Sequence, residues 1–109
     1  MKRYCFALDL NNDPALIAEY EGIHKQIWPE IKKSILDAGI TTMDIYRVGD
    51  RMFMIMETTD DFEFEDKERM DAANPIVKKW EEFMWKFQKP LSFAKPGEKR
   101  VLMKQIFQL

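Results

Sequence analysis

The sequence predicts an α+β sandwich of order β-α-β-β-α-β, and three observations carry that expectation. Short apolar runs stand near both ends of the chain. Two β-rich runs joined by a two-residue turn occupy the middle. Between these, two longer stretches place apolar residues at every third or fourth position.

The first strand is expected over residues 4–10, Tyr-Cys-Phe-Ala-Leu-Asp-Leu, closed by the turn chemistry of Asn11-Asn12-Asp13-Pro14. Asp13-Pro14 also reads as a helix start, with Asp as N-cap and Pro at the first helical position. The helix that follows carries Leu16, Ile17, Tyr20, Ile23, His24, Ile27, Trp28, Ile31, Ile35 and Leu36. Pro29 removes a donor and clashes with the preceding turn, so a kink or break is expected near Trp28. Ala38-Gly39 supplies the C-terminal glycine. Residues 41–48 and 51–58 form a hairpin across Gly49-Asp50, a connection suited to a type II′ turn. Residues 63–73 read as a short helix. Asn74-Pro75 then restarts the chain into a second segment, 75–88, with Val77, Trp80, Phe83, Met84 and Phe87 as its apolar stripe. A loop over 89–97 leads to a last strand, 101–107.

This order is the ferredoxin-like arrangement: a four-stranded antiparallel sheet with helices on one face. The third segment is apolar on both parities, with Met52, Met54 and Met56 on one side and Phe53 and Ile55 on the other. Helices cover only one face, so the second calls for a ligand, a partner subunit, or both. Residues 1–109 read as one domain without repeat, linker or low-complexity segment.

Composition narrows the function classes. Hydrophobic residues make up 46% and charged residues 33%, which fits a globular chain and not a disordered one. The 17 basic and 19 acidic residues are interspersed, and Lys99-Arg100 is only a pair, so no nucleic-acid partner is expected. One histidine and one cysteine leave zinc or copper without a ligand set, and no carboxylate loop has calcium spacing, so no metal is expected. Cys5 has no disulfide partner and lies in an apolar run, which suggests a buried structural thiol in a reducing compartment. Asp9 interrupts the N-terminal run too early for a signal segment, and no apolar stretch approaches the roughly 20 residues of a membrane span. The expectation is a cytoplasmic protein.

His24, the only histidine, lies within the stripe of the first helix, with Tyr20 one turn before it and Trp28 one turn after. Residues four apart touch on a helix, so the phenol and the imidazole can reach the same small volume. Two readings stay open on pattern alone. His24 can be a satisfied core residue, with Tyr20 and Trp28 as ordinary core aromatics. It can equally be an acid/base group above a cavity of Met and aromatic side chains, near a helix end whose carbonyls favour its protonated form.

A resemblance adds to this reading. The run Glu19-Tyr20-Glu21-Gly22-Ile23-His24-Lys25-Gln26-Ile27-Trp28-Pro29-Glu30 resembles the E-Y-x-x-x-H-x-x-I-W-P-E signature of the L-rhamnose mutarotase family. The similarity continues through Gly39, Ile45-Tyr46, Met56-Glu57, the Trp80 region and the closing residues 101–109. It implies a homodimer of ferredoxin-like chains, a dimeric α+β barrel, that interconverts pyranose anomers without a cofactor. It also implies His24 as proton donor and Tyr20 as a substrate contact. The chain departs from the family pattern at Met43, where a tyrosine is usual, and at Glu81, where a second tryptophan follows the first. These departures leave the reaction class in place and open the choice of sugar between L-rhamnose and a related deoxyhexose such as L-fucose.

On that reading His24 protonates the ring oxygen and Tyr20 orients or shares the proton. Trp80 offers an apolar wall to the sugar and Glu81 accepts from its hydroxyls, while the opposing base stays unassigned. The competing readings are a haem-binding or cofactorless monooxygenase of the same architecture, and a non-catalytic small-ligand-binding module.

Overall fold

The computed structural model describes residues 1–109. Its elements are β1 (Lys2–Leu10), α1 (Pro14–His24), α2 (Pro29–Asp37), β2 (Ile40–Val48), β3 (Arg51–Thr58), α3 (Phe64–Ala72), α4 (Pro75–Trp85), β4 (Gln88–Lys89) and β5 (Val101–Leu102). They build one antiparallel sheet of order β2-β3-β1, with β4 and β5 both on the far edge of β1. This is the expected ferredoxin-like α+β sandwich, with the first helical stretch broken into α1 and α2 near Trp28 and the second divided into α3 and α4 at Asn74-Pro75, as the sequence predicts.

The break in the first pair falls at residues 25–28. Trp28 takes an extended ψ of 134°, as a residue before proline must, and Pro29 opens α2 at its first position. Side chains cap the starts of α1 and α4, whereas Glu63 before α3 makes no such bond. Asp13 Oδ1 accepts from the Ala15 and Leu16 amides at 2.9 and 3.4 Å, and Asn74 Oδ1 from Ile76 and Val77 at 3.0 and 3.4 Å. Gly39 leaves α2 at φ +96°, a conformation that strains any residue bearing a Cβ. The hairpin pairs Val48 with Arg51, and only Gly49 has positive φ, which fits type II′ and excludes I′.

Period-two alternation decides which sheet face is covered. Phe6, Leu8 and Leu10 of β1 and Met52, Met54 and Met56 of β3 are all buried. The register sets Phe6 against Met54 and Leu8 against Met52, so the helices close over one apolar surface. Tyr20, Met84 and Phe87 join Leu8, Leu10 and Met52 in one cluster, while Ile40 and Phe62 join Phe6, Met54 and Met56 in another. On the opposite face Cys5, Ala7, Phe53 and Ile55 are only half-buried and Tyr46 and Val48 are exposed. Cys5 is therefore not the buried thiol that its apolar run suggests, because nothing within one chain covers that face.

The fourth strand differs from expectation. Its place along β1 is divided between β4, which pairs with Asp9 and Leu10, and β5, which pairs with Phe6 and Ala7. Residues 90–100 loop out between them. The strand expected over 101–107 ends at Leu102, and Ile106 and Phe107 are 89% and 75% exposed. Lys104-Gln105 interrupts the alternation, so the segment has no single apolar face to lay on one chain's core. No helix is long and apolar enough to cross a membrane.

Candidate functional site

The helices do not close fully on the sheet. Between them lies an open cavity of about 1350 Å³ with Leu8, Met52 and Met54 on its floor and Tyr20, His24 and Trp80 on its helical side. A smaller opening of about 420 Å³ between α1 and β2 reaches Tyr20 and His24 from the other side. An ion pair between Arg47 and Glu21 lies at that opening.

His24 is the last residue of α1, four positions after Tyr20, and the helix fixes both its position and its tautomer. Its Nδ1 lies 2.9 Å from the Tyr20 carbonyl oxygen. A carbonyl only accepts, so Nδ1 carries the hydrogen and the neutral ring presents the Nε2 lone pair. Burial pulls the His24 pKa below the ordinary imidazole value, and the carbonyl bond pulls it upward by less. The helix-end effect expected from the sequence is therefore present, but desolvation outweighs it and the neutral ring is favoured.

The imidazole stands between two aromatic rings. The Tyr20 ring is 4.1 Å away at 32°, and the Trp80 ring 5.7 Å away at 60°. Tyr20 is buried against Phe87, and its hydroxyl accepts from Gln88 Nε2 at 3.2 Å, which leaves the phenolic hydrogen to donate. Burial raises the Tyr20 pKa, opposed by the Gln88 bond, so the phenol stays protonated near neutral pH. Trp28 turns away from His24 after the helix break. Instead it meets Trp80 edge-on at 5.0 Å and stacks over Phe83 at 6.0 Å and 8°. Trp28 is thus the support that holds the Trp80 wall.

The remaining expected positions also face the cavity. Glu81 follows Trp80 along α4, and its carbonyl accepts from Lys99 Nζ at 2.9 Å. Met43 of β2 lies on the helix-covered side of the sheet, beside Met56. Two residues that line the cavity escape sequence reading. Gln88 falls at the end of an apolar helical stripe and gains its role only when β4 pairs with Leu10. Arg100 lies in a charged dipeptide before an apolar run, yet it lines the same cavity as Tyr20.

An imidazole held in one tautomer beside a phenol and an indole, over an apolar floor, has the chemistry to take up and release a proton and lines a cavity open to a small ligand. The sequence profile described as L-rhamnose mutarotase matches residues 3–109. The L-fucose mutarotase of Xanthomonas campestris is 45% identical over 101 residues, covering 91% of this chain and 81% of that protein. The L-rhamnose mutarotase of Phocaeicola vulgatus is 37% identical over 84 residues, 77% of each chain. The crystal structure of an L-rhamnose mutarotase from Formosa agariphila covers 100% of this chain and 99% of its own at a TM-score of 0.74, and its 23% identity makes that a likeness of fold. The chain is a mutarotase, an isomerase of sugar anomers. It belongs to the L-rhamnose mutarotase family.

Proposed function

We propose that this mutarotase acts on a free L-deoxyhexose, L-fucose ahead of L-rhamnose, as a cytoplasmic homodimer in which His24 carries the proton. The observation that carries the reading is the anchored tautomer of His24, a cavity-lining residue, which leaves Nε2 free as an acceptor. Neutral Nε2 takes the proton from the anomeric hydroxyl O1. The O1 electrons form the C1=O1 bond as the C1–O5 bond breaks, and the pair left on the ring oxygen O5 takes the proton back from imidazolium Nε2–H. O1 and O5 share the carbon C1, so one imidazole serves as base and then as acid. Rotation about C1–C2 and the reverse sequence close the ring on the other face. No proton is gained or lost.

Tyr20 has two roles in this scheme. Its carbonyl holds the imidazole, and its hydroxyl, fixed by Gln88, donates to the sugar. Trp80 packs against the sugar's C–H surface and Glu81 accepts from its hydroxyls. L-fucose is favoured because the L-fucose mutarotase shares the greater identity and because Met43 and Glu81 depart from the rhamnose pattern. The homodimer is supported by the uncovered sheet face and by the exposed apolar residues Ile106, Phe107 and Leu109. The lone Cys5 agrees with a reducing compartment.

Anomer exchange measured by saturation-transfer NMR on a panel of free L-deoxyhexoses tests the reading. Exchange above the uncatalysed rate is expected for both L-fucose and L-rhamnose, faster for L-fucose. Exchange confined to L-rhamnose would refute the assignment of the sugar, and no exchange would refute the activity.

A further inference from the structure

Arg100 is held in place by the strand it precedes. Leu102 of β5 pairs with Phe6 of β1, and the Arg100 guanidinium lies 5.3 Å over the Phe6 ring with Nη1 3.9 Å from the Met54 sulfur. No carboxylate stands within ion-pairing distance of it. A thioether is a weak acceptor, so most of the five guanidinium N–H groups have no strong acceptor in the chain. One side of the guanidinium rests on Phe6 and Met54, and the residue is otherwise exposed where it lines the cavity, so its free N–H groups are open to a ligand. Glu81 and Asp71 act on its charge from longer range.

The location matters as much as the missing partner. Phe6–Met54, beneath Arg100, and Leu8–Met52, in the cluster that holds Tyr20, are successive rungs on one sheet face, about 7 Å apart. One pyranose ring with its hydroxyls bridges such a gap. Glu81, likewise without an ion-pair partner, offers an acceptor in the same cavity. A donor fork and a separate acceptor suit a neutral polyol, whose hydroxyls both accept and donate. The carboxylates of Glu81 and Asp71 near the guanidinium disfavour a sugar phosphate or sugar acid.

We propose that Arg100 is a specificity-determining substrate-binding residue, whose guanidinium donates to two neighbouring hydroxyls of the free sugar opposite the His24 end. The proposal rests on the mutarotase reading of the cavity. It assigns to one side chain the recognition of hydroxyls remote from C1, which distinguish one deoxyhexose from another. Arginine suits that task better than lysine because its planar fork meets two adjacent oxygens at once.

Binding of methyl L-fucopyranoside and methyl L-rhamnopyranoside tests it, since a capped anomeric oxygen allows binding without ring opening. Affinities come from titration calorimetry or ligand-observed NMR, with monodeoxy derivatives of each glycoside and the variants Arg100→Met and Arg100→Lys. Wild type should lose ~10- to 100-fold in affinity when a contacted hydroxyl is deleted. Arg100→Met should lose the same factor toward the parent glycoside and no longer discriminate against that deoxy derivative. In turnover its KM for the free sugar should rise far more than its kcat falls. If Arg100→Met does not fold, Arg100→Lys, which keeps the charge and loses the fork, should still bind several-fold more weakly. A folded variant with wild-type affinity, retained discrimination by Arg100→Met, or a wild type that binds neither glycoside overturns the assignment. If wild type binds the glycosides but exchanges no anomers, the mutarotase reading fails while the affinities still decide Arg100. If it exchanges anomers and both variants match it, only Arg100 fails.

Discussion

Replacing His24 separates a proton carrier from a packing residue, because the structure sets very different magnitudes for the two. The imidazole is half-buried and makes one hydrogen bond, to the Tyr20 carbonyl. That carbonyl lies inside α1, where the i→i+4 ladder supplies a main-chain donor, so truncation leaves no orphaned acceptor. His24→Ala therefore loses one neutral hydrogen bond and part of a ring contact, and gains a few tenths of a kcal/mol in helix propensity. The net cost is about 1 kcal/mol, a fall of roughly 4–6 °C in melting temperature for a chain of this size. Anomer exchange should fall by ~10²-fold or more, the usual contribution of a positioned acid/base group. Melting by circular dichroism and exchange by NMR on the same sample read both effects. In wild type, exchange should rise with pH and level off once His24 is neutral, with its midpoint below the ordinary imidazole value of about 6.5, because burial lowers the folded pKa. The same shift makes stability flat above pH ~6.5 and lower as pH falls, since the unfolded chain then binds the proton more readily. Wild-type exchange in folded His24→Ala, or a rate that falls steadily as His24 loses its proton, would refute the assignment.

The other expectations are briefer. Tyr20→Phe removes the hydroxyl that Gln88 holds while keeping the ring on Phe87, so KM should rise several-fold with His24 still functional; an unchanged KM would remove Tyr20 from the sugar contacts. Gly39→Ala forces a Cβ to φ +96° and to 2.9 Å from Thr59 Oγ1, so chemical denaturation should show a loss of about 1–2 kcal/mol or more, and wild-type stability would contradict the turn geometry. Ile55→Lys places a charge in the middle of the uncovered sheet face, so sedimentation should show a dimer for wild type and a 13.0 kDa monomer for the variant; a monomeric wild type would refute the sheet-to-sheet dimer.

Much of the fold can be read in the sequence because local rules govern it. Asp13-Pro14 and Asn74-Pro75 start helices through capping, Gly49 sets the hairpin turn, and Met52, Met54 and Met56 reveal the buried parity through the period of two. Tyr20 and His24 meet because four residues make one helical turn, and the motif around them points to the family before any packing is known. Tertiary structure decided what depends on contacts distant in sequence. Trp28 leaves the histidine and braces Trp80 only because Pro29 redirects the chain against α4. The divided fourth strand follows from the places where β4 and β5 find free edge on β1, which no local pattern specifies. Gln88 reaches Tyr20 across 68 residues, and Arg100 reaches Phe6 and Met54 through the same edge pairing. The direction of the His24 pKa shift belongs with these. A sequence shows the helix end that raises it, whereas the desolvation that lowers it exists only once distant side chains have closed around the ring.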